Sequence, residues 1–212
     1  MKHSNHRRRN PVLLLTLGLA AGSILPNASA QSTWNGGGAD TNWSTALNWD
    51  VAPPATGGTL IFGGTTGLDN TNDAGTVTSL VSPGAITFAA GAGSFTLNGD
   101  PIAWETDASG IVIDNLSGVD QTLNMDFTST GGGQRDRTID ANGATITLNG
   151  NISFGNDWLF PTGTAGTLVL TGDNTGPGKG NVVKAGSHAL RGVYRSNLSN
   201  NHLELGSPTC LG

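Results

Sequence analysis

Three short segments of this chain repeat one another without a gap: residues 94–100 (SFTLNGD), 145–151 (TITLNGN) and 167–173 (TLVLTGD). The shared pattern is Ser/Thr, apolar, Thr/Val, Leu, Asn/Thr, Gly, Asp/Asn. Apolar residues alternate with polar ones, which buries one face of a strand and leaves the other in water. The Gly that follows, after Asn98 and Asn149, belongs to turn chemistry, because Asn-Gly tolerates positive φ at little steric cost. The last two copies stand about one rung of a parallel β-helix apart, on the order of 20 residues. The first lies further upstream, as if the rungs between had diverged. Such a rung cannot bury its inner face alone. Stacking buries it, and in-register Asn and Thr side chains can then form ladders along the stack.

The rest of the chain carries the same signal. Strands are expected at 59–62, 85–88, 94–97, 110–113, 121–127, 144–148 and 166–170. No window after residue 30 has the i, i+3, i+4, i+7 apolar spacing of an amphipathic helix. A strand about every ten residues, each closed by a turn such as Asn142-Gly143, suits a sandwich, a barrel or a β-solenoid. The internal repeats favour an all-β parallel β-helix (β-solenoid), with an antiparallel β-sandwich as the alternative. The repetitive body is expected at 59–206, with a ragged tail at 207–212.

The N-terminus reads as an export signal. Lys2, Arg7, Arg8 and Arg9 form a basic region, and an almost uncharged apolar stretch follows from Pro11 to Leu25. Ala28 and Ala30 supply the small residues of a cleavage site, which places the cut between Ala30 and Gln31. The apolar run is short for a membrane span, and no integral membrane segment is expected after the signal is removed.

Cleavage changes the charge. Four of the 10 Lys+Arg lie in residues 1–30, which leaves six against all 15 Asp+Glu, a mature balance of −9. Such a surface repels phosphate backbones and anionic lipid, so neither nucleic acid nor an acidic membrane is an expected partner. Cys210 is the only cysteine. An intramolecular disulfide and a thiolate zinc site are therefore excluded, and packing and hydrogen bonding must hold the fold.

Residues 31–58 form a Trp-rich leader, 33-TWNGGGADTNWSTALNW-49, ending near Ala52-Pro53-Pro54. Trp34, Trp43 and Trp49 admit two readings. They form either a plug that caps the first rung or an exposed platform for sugar rings. The cap is favoured, because each Trp buries a large apolar area and needs one partner for its indole N–H. The leader, together with 166-GTLVLTGDNTG-176 and 182-VVKAG-186, resembles the autotransporter-associated β-strand repeat (passenger-associated transport repeat) proteins. The repeat positions that carry the resemblance are Gly166, Leu168, Leu170, Gly172 and Asn174. It implies a right-handed parallel β-helix passenger, exported and displayed or released at the cell surface or outer membrane. This chain departs from the family pattern at Gly176-Pro177, where an aromatic is usual. It shows only one well-formed repeat and no C-terminal translocator barrel.

Catalytic templates are missing. No P-loop or G-x-S-x-G elbow is present, and His188 and His202 lack a third ligand at metal spacing. Asp69 and Asp73 are read as one acidic loop with Asn70 and Asn72, and Asp136 and Asp140 as the flanks of a turn with Arg135 and Arg137. Asp100, Glu105 and Asp107 form a third group. Solvated or turn-capping roles are expected of them, with no metal, cofactor or catalytic residue. The function expected is non-catalytic surface display or adhesion, toward surface glycans or other cell-surface proteins. The alternatives are a carbohydrate-binding module using exposed Trp34, Trp43 and Trp49, and a β-helix polysaccharide-degrading enzyme with paired carboxylates.

Overall fold

The protein is described by a computed structural model, which covers residues 1, 30–51, 58–75, 77–78, 86–104, 110–129, 136–153, 158–162, 166–172, 181–184, 189–192 and 203–205. It is an all-β parallel solenoid with three sheets. The first sheet holds β1 (Ala30–Trp34), β2 (Gly58–Phe62), β5 (Ile86–Phe88), β8 (Gly110–Asn115), β11 (Asp136–Asp140), β14 (Trp158–Thr162), β16 (Asn181–Lys184) and β18 (Leu203–Leu205), in that order. The second runs β3 (Asp69–Asn72), β6 (Thr96–Gly99), β9 (Gln121–Leu123), β12 (Thr145–Leu148), β15 (Thr167–Leu170) and β17 (Ala189–Gly192). The third runs β4 (Val77–Thr78), β7 (Ile102–Trp104), β10 (Phe127–Ser129) and β13 (Ile152–Ser153). Four turns carry strands of all three sheets, and every strand pairing is parallel.

Register explains the repeats. Thr145 pairs with Thr167 and Leu148 with Leu170, so the last two copies are adjacent rungs. The rung between the first two copies is β9, where Thr96 pairs with Thr122 and Leu97 with Leu123. Leu97, Leu123, Leu148 and Leu170 form one fully buried column inside the second sheet. Leu60, Ile86, Ile113 and Ile139 form another inside the first. The core is therefore a set of like-on-like stacks, each strand burying one apolar edge against the next.

Three sequence expectations need correction. The stretch 121–127 is two strands, β9 and β10, separated by a corner at Asn124–Asp126. Leu123, Met125 and Phe127 are all buried, so the period-two pattern passes round the corner and imitates one long strand. The supposed acidic loop at 69–73 is largely strand β3, with Asn70 and Asn72 turned inward and buried. The supposed turn at 136–140 is strand β11, with Arg137 and Ile139 inward. The buried Arg137 guanidinium lies 5.8 Å from the centre of the Trp104 ring, which also stacks on Phe127 at 4.9 Å. This cation–π contact is one of the interactions that the buried guanidinium makes.

Candidate interaction face

The N-terminal end is closed by the leader. Trp34, Trp43 and Trp49 are 1%, 1% and 4% exposed. Trp49 meets Trp34 and Trp43 edge to face at 5.1 and 5.8 Å, and all three contact Phe62. Each indole N–H is satisfied: Trp34 donates to the Thr66 carbonyl at 3.2 Å, Trp43 to Asn70 Oδ1 at 2.7 Å and Trp49 to the Trp43 carbonyl at 2.9 Å. The rings thus line the interior of the first turn and present no open face to a sugar.

The leader also covers strand edges, which would otherwise offer unpaired backbone groups to another chain. Trp43 N–H donates to the Thr71 carbonyl and Thr71 N–H to the Thr41 carbonyl, which covers β3. Beside β1, the chain around Trp49 runs antiparallel, and Asp50 N–H donates to the Thr33 carbonyl. Two carboxylates fasten this cap. Asp50 accepts from Thr33 N–H at 2.7 Å, and Asp73 accepts from the Ser44 hydroxyl at 2.6 Å and its N–H at 2.8 Å. The Thr33 N–H is the main cause holding the Asp50 pKa down, and the Ser44 hydroxyl the main cause for Asp73.

The predicted cleavage point lies at the start of β1, where Ala30 pairs with Gly58 and Gln31 with Thr59. Ala28 lies outside the described residues, as do Asn174, Glu105, Asp107, His188, His202 and Cys210. Of the repeat positions, Gly166 precedes β15, Leu168 and Leu170 point inward from it, and Gly172 follows it. Gly172 and Gly150 occupy the same corner one rung apart. A Cβ on Gly172 would overlap the Gly150 carbonyl, and one on Gly150 would overlap the Met125 carbonyl. The repeat glycine is thus required by close backbone approach.

The three outer faces differ. On the first sheet Asp114 and Asp140 pair across adjacent rungs. Burial, followed by the charge of Asp140, raises the Asp114 pKa. On the second sheet the outward positions are Thr96 and Asn98, Thr122 and Asn124, Thr147 and Asn149, then Val169 and Thr171. Their amides form one directional ladder. Asn149 donates to Asn124 at 2.7 Å, Asn124 to Asn98 at 2.6 Å and Asn98 to Asp69 at 2.7 Å, while Thr171 donates to Asn149. The sequence pattern foretold the ladder's residue types; it did not show the turning of Asn70 inward to receive Trp43. On the third sheet Thr128 pairs with Ala103 and Ser153, and Ala103 is buried.

Among the described residues, no group of three or more His, Cys, Asp or Glu is arranged to hold a metal ion. No helix among them is long and apolar enough to cross a membrane. Compared with known proteins, the chain matches no family model, no curated relative and no solved structure.

Proposed function

We propose that this chain is an exported, non-catalytic repeat protein that presents an outer sheet face at the cell surface, in the manner of an autotransporter-associated β-strand repeat passenger. The observation that carries this reading is the second sheet. Its outward Thr and Asn side chains run through consecutive rungs in unbroken register, locked by their own hydrogen bonds. A face whose side chains are already ordered loses little entropy on contact. The burial of Trp34, Trp43 and Trp49 favours the cap over a sugar platform.

Expression with the native N-terminus in a didermic bacterium tests the reading. The expected result is a product beginning at Gln31, reached by protease added to intact cells, with the purified protein increasing cell–cell or cell–surface attachment. A full-length product retained in the cytoplasm, or turnover of a polysaccharide by the purified protein, would overturn it.

A further inference from the structure

We propose that the outward face of the second sheet, centred on Thr122 and Asn124, is an ice-binding face. The inference takes that sheet as the presenting surface, and so rests on the reading above, but it names a ligand. Adjacent rungs repeat about every 4.8 Å, and alternate residues along a strand about every 6.7 Å. The Thr-Leu-Asn sequence recurs in register on three consecutive rungs, at 96–98, 122–124 and 147–149. The result is a two-dimensional grid of hydroxyl and amide groups whose rung repeat is close to the in-plane oxygen repeat of hexagonal ice.

Three observations favour ordered water over other occupants. The outward positions Thr96, Asn98, Thr122, Asn124, Thr147, Asn149, Val169 and Thr171 carry no charge, which is confined to the margins at Asp69, Asp120 and the register position of Arg191, whereas the first sheet carries Asp114 and Asp140 outward within its strands. No aromatic residue stands at the outward positions from Thr96 to Thr171 of this sheet, so the stacking surface that sugars and protein partners favour is missing there. The ladder spends one N–H and one acceptor site of Asn124, and an amide retains a second of each. Those spare groups recur on Asn149 one rung away with the rotamers held, while Asn98 spends its second N–H on the Asn70 carbonyl. Each Thr adds a methyl group that cages water beside a hydroxyl that anchors it.

Ice-affinity partitioning of the full-length mature protein tests this, beside Thr122→Tyr and Thr147→Tyr on the face and Thr87→Tyr on the first sheet, with circular dichroism to check folding. The expected result is several-fold enrichment of the wild type and Thr87→Tyr in the ice fraction over an inert soluble protein. Thr122→Tyr and Thr147→Tyr fall to the inert level while keeping the wild-type spectrum. Exclusion of the wild type from ice would overturn the proposal, as would equal partitioning of all three variants. Retention on crystalline cellulose or chitin without ice enrichment would also overturn it. Attachment and surface exposure, measured separately, report on the display reading whichever way the ice result falls.

Discussion

Trp43 donates its indole N–H to Asn70 Oδ1 at 2.7 Å, across 27 residues of sequence, with both side chains buried. Asn70 stands at the head of the column continued by Leu97, Leu123, Leu148 and Leu170. The polar residue appears where the stack of leucines meets the cap, and the cap supplies its partner. Asn70→Ala leaves the indole N–H unsatisfied in the interior and is expected to cost about 1–3 kcal/mol. Trp43→Ala removes the ring itself and is expected to cost about 3–5 kcal/mol. Urea unfolding of the single and double variants checks both, and the pair should be less than additive because the residues share one bond.

Gly150→Ala is expected to be far more destabilising than Gly118→Ala. At Gly150 the new methyl overlaps the Met125 carbonyl, which is backbone and cannot swing aside. At Gly118 it meets open space, and only the positive φ of 76° opposes it. The left-handed conformation costs a non-glycine residue roughly 1–2 kcal/mol. Thermal melts of the two variants give the comparison, and equal losses would mean that the corner has room.

The middle of the ladder is directional, so two substitutions at Asn124 should differ. Asn124→Asp keeps an acceptor for Asn149 and loses the donor to Asn98. Asn124→Ala loses both bonds. With each exposed bond contributing on the order of 0.5–1.5 kcal/mol net, Asn124→Ala is expected to cost more than Asn124→Asp in denaturant titrations at neutral pH.

Stability should respond to pH in two opposite ways. Asp50 and Asp73 have pKa values lowered from the ordinary 3.8 by the groups they hold in the cap. Their contribution is present above 3.8 and is lost as pH falls through the lower folded values. Asp114 is raised above 3.8 by burial and by Asp140. Its ionised form therefore opposes folding, and that cost disappears as pH falls from above the raised folded value to below 3.8. Asp114→Asn is expected to stabilise the protein at pH 7 and to lose its advantage in acid, whereas Asp73→Asn is expected to destabilise it at pH 7 only. Melting temperatures across pH 2–8, an interval of roughly the carboxylate range and above, distinguish them.

Much of the stack was legible because Thr-Leu-Asn-Gly encodes three demands at once: an outward hydroxyl, an inward leucine and a corner without a side chain. The strand at β9 was expected within 121–127, but it did not show as a copy of the repeat because Gln121 and Met125 replace the apolar residue and the glycine. Gln121 is buried and its amide serves Phe95 N–H, Gly93 and Val119 carbonyls and Ser117, so a polar network fills an apolar place. β3 was hidden for the same reason. Asp-Asn-Thr-Asn has loop composition, and only the tertiary partners of Asn70 and Asn72 make it a strand. The strand β1 inside the leader escaped notice because Thr33-Trp34 was read for its aromatic ring and not for its edge.

The stacked register itself is tested most directly by distances along one column. Spin labels at Thr71 and Thr171, four rungs apart through Asn98, Asn124 and Asn149, should report backbones separated by roughly 19 Å, and labels at Asn98 and Thr171 roughly 14 Å, at about 4.8 Å per rung. Distances that grow by one rung with each step confirm a parallel stack. Distances without that progression, such as those of two facing antiparallel sheets, would contradict it.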